Sequence, residues 1–305
     1  MTVKTITGCN RLFSAKTPNP LVSMIRLSDT TEISQVLQFG FFTVWLRAWN
    51  TPCQPLFGHK KCDFSDGTLT FLQPGRTATP EIWKPETGQS EGWLLCFHDS
   101  VYNPLKTGKS SREYSFFRYA TRESLHLSQR EMAVLEREMD EIGEELHWGV
   151  DEYCYTILAG RIRLLLDYAS RFYRRQFILR HNENQEMLER TDRELEIFFQ
   201  TGKAQYERFP SSEDFARLFG CSPDYFNDML KHETGKDTED YVKFKQIACA
   251  EYLLKRGTES VEEVAARLGF PTDREFCTLF KRLKGKTPSD FISGIEVFFC
   301  ASSSS

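Results

Sequence analysis

GCSPDYFNDMLKHETGK (residues 220–236) and GFPTDREFCTLFKRLKGK (residues 269–286) are two versions of one segment, and their likeness decides how the last third of the chain is read. Phe226, Leu230, Lys231, Gly235, Lys236 and Tyr241 find Phe276, Phe280, Lys281, Gly285, Lys286 and Phe291 fifty positions later. Upstream, Ser211, Phe215, Ala216 and Gly220 find Ser260, Val264, Ala265 and Gly269 forty-nine positions later. The one-residue change of register falls in a turn, where insertions are tolerated. Self-similarity that keeps the apolar positions in step marks a duplicated supersecondary unit.

Each copy reads as helix, tight turn, helix. Ser260 with Glu263 and Thr272 with Glu275 are capping-box pairs, in which hydroxyl and carboxylate satisfy the orphan N–H groups of a first turn. Ser222-Pro223 opens the corresponding helix of the first copy, with proline where its missing N–H costs nothing. Gly220, Gly235, Gly269 and Gly285 supply the stops. Thr287-Pro288 starts a last short helix. Phe226, Met229 and Leu230 form one buried stripe, and Phe276, Leu279, Phe280 and Leu283 the other. The opposite faces carry Pro223, Asp224, Asn227, Asp228 and Lys231 in the first copy. In the second they carry Thr272, Asp273, Arg274, Cys277, Thr278 and Lys281. Asn, Arg, Thr and Lys hydrogen-bond base edges in a major groove. Ser222, Lys236, Ser260, Arg282 and Lys286 are the expected phosphate contacts, from helix starts and flanking cations. Thr238 to Arg256 reads as a helix joining the copies, apolar on more than one side, and its length suits two reading helices in successive grooves.

The stretch from about Ser211 to Phe291 resembles the double helix-turn-helix DNA-binding domain of AraC-type transcription regulators. The carriers are Ala216, Gly220, Ser222, Tyr225-Phe226, Leu230-Lys231, Gly235, Tyr241, Ala250 and Leu253-Leu254. They continue with Ser260–Ala265, Gly269-Phe270, Phe276, Phe280-Lys281 and Gly285–Phe291. Segments between about Asp63 and Phe177 are similar to the N-terminal part of Bacteroidetes regulators of this type: Cys62–Gly67, Gly92–His98, Tyr114–Phe117, Glu123–Ser128 and Arg171–Phe177. The resemblance implies a cupin-like β domain that senses a ligand or dimerises, double-stranded DNA and RNA polymerase as partners, and a bacterial source. Two positions depart from the pattern: Asp228 stands where the family has a basic residue, and Gln246 where it has Arg.

Charge divides the chain. Residues 1–127 carry 14 Lys and Arg against 10 acids, +4; residues 128–200 carry 10 against 16, −6; residues 201–305 carry 15 against 17, −2. A total of −4 excludes a generally basic, histone-like protein, and phosphate attraction, the usual source of nonspecific affinity, is left to local cations. The expected divisions are a β sensor domain at 1–127 and a helical connector at 128–182. A double helix-turn-helix domain at 183–295 and a tail at 296–305 follow, in an α+β chain. Short apolar and aromatic runs broken by turns (Phe39–Trp49, Thr68–Leu72, Gly92–Phe97) read as strands of a small sandwich or barrel. Ser128 and Glu131 form a capping box, followed by Met132, Leu135, Met139, Ile142 and Leu146 at alternating spacings of three and four, an a/d stripe. That stripe either covers the β domain or forms a homodimer seam, and the two are compatible.

No apolar run reaches membrane-span length, no signal-peptide pattern opens the chain, and nine scattered cysteines without C-x-x-C fit reduced thiols in a cytoplasm. No Walker loop, G-x-S-x-G or H-E-x-x-H is present, so no enzyme and no cofactor are expected. Cys53, His59 and Cys62, with Cys96 and His98, match no common zinc spacing. Phe41, Trp45, Trp83 and Trp93 are the aromatics that a barrel pocket for a small-molecule effector would use. The reading is a sequence-specific, effector-responsive transcription regulator, in which an effector would act on the DNA domain through residues 128–180. The competing reading is a cupin-barrel enzyme or ligand-binding protein with a helical interaction module.

Overall fold

The computed structural model describes residues 1–29, 33–48, 57–82, 92–101 and 114–293. Cys53, Trp83 and the tail at 296–305 lie outside them. The chain forms two compact units, one ending at His181 and the other beginning at Asn182.

The first unit is built on a five-stranded antiparallel sheet. Its strands are β2 (Val22–Arg26), β4 (Phe42–Ala48), β5 (Gly67–Leu72), β7 (Gly92–Phe97) and β8 (Leu125–Leu127), in the order β2-β7-β4-β5-β8. A smaller sheet joins β1 (Thr2–Val3), β3 (Leu37–Phe39) and β6 (Thr77–Ala78), and helix α1 (Ile6–Leu12) follows β1. Strand β4 is buried on both faces, which explains why it reads as a continuous apolar run. On one face Trp45 packs with Phe13 and Phe39 in a cluster that includes Ile25, Leu94 and Cys96. On the other, Phe42 stacks on Phe97 in register and meets Phe117, while Phe71 meets Phe116. Trp45 and Phe41 are therefore core, fully enclosed by these neighbours, and not pocket lining.

Helices α2 (Gln129–His147) and α3 (Cys154–Leu179) complete this unit. The capping box opens α2: Ser128 Oγ accepts from the Glu131 N–H at 3.4 Å, and the Ser128 N–H donates to Glu131 at 3.0 Å. Here the seam expectation is corrected. Met132, Leu135, Met139 and Ile142 are at most 6% exposed within a single chain. The stripe packs on β2, β8 and α3, and Met132 sits so close to Gly67 that a Cβ there would collide with its sulfur. The two-heptad periodicity is satisfied by the protein's own sheet and neighbouring helix, so these four residues are no dimer seam.

Beneath α3 lies a buried polar cluster. Arg180 donates from Nε and Nη2 to the two carboxylate oxygens of Asp63 at 2.9 and 2.6 Å, with side-chain exposures of 4% and 0%. Burial pushes the Asp63 carboxyl up, but Arg180, the Lys60 N–H and His126 together hold its pKa below the ordinary carboxylate value. The loop carrying Asp63 turns at Gly58 (φ +69°), where a Cβ would strike the Arg122 carbonyl.

His126 sits 3.9 Å from Asp63, and its Nε2 is 3.0 Å from the Phe57 carbonyl, to which the neutral ring donates. Burial pulls this imidazole down to a pKa of about 4; Asp63 opposes the shift, Arg180 and His59 add to it. The folded pKa lies below the ordinary value, so on acidification the unfolded chain takes up this proton first. His126 thus contributes stability that is complete above pH ~6.5 and is lost down to pH ~4, on the order of 3 kcal/mol in total. Urea unfolding of the full chain at pH 7.5 and pH 5 is expected to show the N-terminal transition moving to lower urea. The His126→Gln variant should be weaker at pH 7.5 and flatter across that window; an equal pH dependence in both proteins would remove this assignment.

The second unit is all helical: α4 (His181–Gln200), α5 (Ser212–Phe219), α6 (Pro223–Thr234), α7 (Thr238–Arg256), α8 (Val261–Arg267) and α9 (Asp273–Lys284). Helix pairs α5/α6 and α8/α9 pack on either end of α7. Phe226 lies against Phe215 and Phe219, and Phe276 against Phe270 and Phe280, so both copies use the same core position. Among the described residues no helix is long and apolar enough to cross a membrane.

Candidate nucleic-acid interface

The local signals at the two helix pairs behave as their chemistry requires. Ser222 Oγ accepts from the Tyr225 N–H at 3.3 Å, and Thr272 Oγ1 from the Glu275 N–H at 3.2 Å. Ser260 and Glu263 exchange bonds of 3.2 and 2.7 Å. Gly220, Gly235 and Gly285 end their helices with φ of +66°, +74° and +77°. In the turn between α8 and α9 the glycine is demanded twice over. Gly269 has φ +78°, and a Cβ on it would lie 2.2 Å from the Ala204 carbonyl oxygen.

The two second helices are not equivalent. Helix α9 carries four cations, Arg274, Lys281, Arg282 and Lys284, against Asp273 and Glu275. Thr272, Asp273, Arg274, Thr278, Lys281 and Arg282 are exposed and Cys277 is half-buried. Arg274, Thr278 and Arg282, four residues apart, line one ridge beside a cleft of about 250 Å³ shared with Glu275 and Leu279. The Thr278 hydroxyl donates back to the Arg274 carbonyl at 2.7 Å, leaving its oxygen lone pairs outward. Lys284 pairs with Glu251 of α7 at 2.5 Å, so it braces the domain.

Helix α6 carries Asp224, Asp228 and Glu233 against Lys231 and His232. Lys231 is exposed; Pro223, Asp224, Asn227 and Asp228 are half-buried. The Asn227 side-chain oxygen accepts from both the N–H and the hydroxyl of Thr238, at 2.9 and 3.0 Å. It caps the start of α7, so the acceptor half of its amide is committed inside the domain. Glu233 accepts from Asn184 at 2.8 Å and Gln185 at 3.0 Å, tying α6 to α4.

Among the phosphate candidates, Arg282 and Lys286 are exposed, and the Lys286 ammonium lies 4.7 Å from the Phe291 ring. Lys236 is half-buried, its ammonium 4.8 Å from the Phe244 ring. Ser260 is exposed at the start of α8. Ser222 is only 8% exposed, and its hydroxyl caps the start of α6.

Gln246, the departure in the connecting helix, is buried and donates from Nε2 to the Leu268 carbonyl at 2.7 Å. It satisfies a last-turn carbonyl of α8 and pins α8 to α7. This role was not readable in advance; the signal is a single uncharged amide among apolar neighbours. The Asp63–Arg180–His126 cluster was likewise missed, since its members are distant in sequence. His59 and Cys62 lie near this cluster, whereas Cys96 is in the core and His98 bonds Ser100. Among the described residues no group of His, Cys, Asp and Glu is placed to hold a metal ion.

Residues 215–293 match the family model of a helix-turn-helix domain. The HTH-type transcriptional regulator YpdC of Escherichia coli K12 is 30% identical over 79 residues, 26% of this chain and 28% of that protein. The HTH-type transcriptional activator RhaS of Klebsiella pneumoniae is 33% identical over 82 residues, 27% of this chain and 30% of that protein. The chain thus spans less than a third of the length of these curated relatives. Among solved structures, the DNA-binding domain of AdpA, crystallised with a target DNA, aligns with 37% of this chain and 93% of its own at 22% identity and a TM-score of 0.31.

Proposed function

We propose that the chain is a sequence-specific DNA-binding transcription regulator of the AraC type. In this reading the helix-turn-helix domain at 215–293 presents α6 and α9 to adjacent major grooves. The carrying observation is α9: a helix held by buried Phe276 and Phe280 whose outer ridge offers Arg274, Thr278, Lys281 and Arg282 to solvent. A helix with a locked inner face and a cationic outer face of hydrogen-bonding side chains is what groove reading requires. Residues 215–293 carry no net positive charge, so phosphate neutralisation falls on Lys231, Lys236, Lys281, Arg282 and Lys286, flanking the reading helices.

The N-terminal unit is the proposed site of regulatory input, a cupin-like domain responding to a small-molecule effector, and RNA polymerase is the proposed downstream partner. A regulator of this kind works in the cytoplasm and performs no catalytic step. Selection of bound duplexes from a random library with the full chain tests the reading. A recurrent motif of two half-sites about one helical turn apart is expected. Lys281→Ala should weaken binding to all sequences alike and reduce the salt slope by about one. Recovery of no enriched motif at moderate salt would overturn the proposal.

A further inference from the structure

The outer face of α9 changes character from turn to turn. Its first turn presents Arg274, exposed and, among the described residues, without a hydrogen bond or ion pair to its guanidinium. Its second turn presents Cys277 and Thr278, three and four residues on, to either side of the line that Arg274 begins. Its third presents exposed Lys281 and Arg282. The two ends of this face are cationic, and the middle carries no charge. Cys277 is half-buried, and burial, with Asp273 and Glu262 adding to it, pushes its thiol up. The thiol stays protonated and acts as a small apolar group.

Thr278 decides what the middle turn can read. Its hydroxyl proton goes to the Arg274 carbonyl at 2.7 Å, so no donor is left for an O4, O6 or N7 acceptor in a major groove. What remains is an acceptor oxygen and a methyl group. The oxygen would have to be desolvated to meet an adenine or cytosine amino group. Its surroundings are apolar, with Cys277 beside it and half-buried Leu279 sharing the adjoining cleft. The methyl group suits those surroundings, and thymine displays a C5-methyl group in the same groove. Arg274 lies four residues earlier, about 6 Å back along the helix, and its forked donors match guanine O6 and N7. That advance is close to two base steps of ~3.4 Å.

We propose that Thr278 is a specificity-determining residue whose methyl group contacts the C5-methyl group of a thymine. That thymine lies within two base steps of a guanine read by Arg274, with Lys281 and Arg282 on the flanking phosphates. This assignment rests on the DNA-binding reading and names the half-site that α9 takes.

Anisotropy titrations of the full chain with its selected duplex are the test. Repeating the selection with Arg274→Ala should relax one guanine and so mark the α9 half-site. Replacing the nearby thymine by deoxyuridine removes only the base methyl group and should weaken wild-type binding about fourfold, the contribution of one buried methyl. Thr278→Ser keeps the hydroxyl and removes the side-chain methyl. It should lose about as much on the thymine duplex and nothing further on the deoxyuridine duplex. Thr278→Val keeps a methyl group without the oxygen and should still prefer thymine. The position is exposed, so both variants should keep their thermal midpoints within the small range of a surface substitution. Equal wild-type affinity for the two duplexes would overturn the proposal. So would a Thr278→Val that binds worse while Thr278→Ser binds as the wild type, the signature of an acceptor oxygen. An enriched motif with no thymine within two steps of that guanine overturns this assignment and leaves the DNA-binding reading standing. A selection that enriches nothing overturns both.

Discussion

Arg180→Met is expected to destabilise the N-terminal unit by about 3–5 kcal/mol. The guanidinium is bonded to the Asp63 carboxylate in a site where both side chains are almost fully enclosed. Its removal leaves a buried anion that must be protonated, hydrated or expelled, and each route opens the loop between Phe57 and Asp63. The same guanidinium also donates to the Gly58 carbonyl at 3.2 Å, so the turn loses a second anchor. The pair itself is a different matter. Two buried charges pay a desolvation cost that roughly cancels their attraction, so Asp63→Leu/Arg180→Met together should recover most of the lost stability. Denaturant unfolding of the two single variants and the double variant measures this directly. A double variant no better than Arg180→Met would show that the contribution is packing and not charge pairing.

The second large effect concerns which helix reads DNA. Arg274→Ala should weaken binding to the selected site by roughly 1–3 kcal/mol, about 5- to 150-fold, with a much smaller change on unrelated duplexes. Arg274 is exposed at the beginning of α9, where side chains of a groove-inserted helix reach base edges. Helix α6 is expected to behave otherwise. Its Asn227 acceptor is spent on Thr238, and its half-buried Asp224 and Asp228 bring negative charge toward phosphates. Asp228→Ala should therefore strengthen binding to all sequences modestly, by less than about tenfold. Titrations of both variants at one salt concentration, on selected and scrambled duplexes, separate these effects. Equal losses for the two variants on the selected site would mean that the copies contribute alike and that the charge difference between them is inconsequential.

The repeat, the helix-turn-helix pairs and the positions of their stops were legible because they depend on neighbours a few residues apart. A serine satisfies an N–H three residues on, a glycine takes a positive φ, and phenylalanines recur on one side of a helix. These rules act within a turn or two of chain, so Ser260, Gly235, Phe226 and Phe276 could be assigned from the letters alone. The β segment was legible as strands for the same reason, in the apolar runs that became β4, β5 and β7.

The apolar stripe of α2 shows where local rules end. Its periodicity specifies that Met132, Leu135, Met139 and Ile142 are buried, and they are. It carries no information on what buries them, since a sheet of the same chain and a helix of another copy present equally apolar surfaces. Only the packing of α2 on β2, β8 and α3 decided between the two. Asn227 and Gln246 make the same point for polar residues. Their types allow base reading or internal bonding, and the choice fell to Thr238 eleven residues away and Leu268 twenty-two residues away. The Asp63–Arg180 pair joins residues 117 apart. Hydrogen bonds and ion pairs act over about 3 Å in space, and chain separation says nothing about that distance until the fold has closed it.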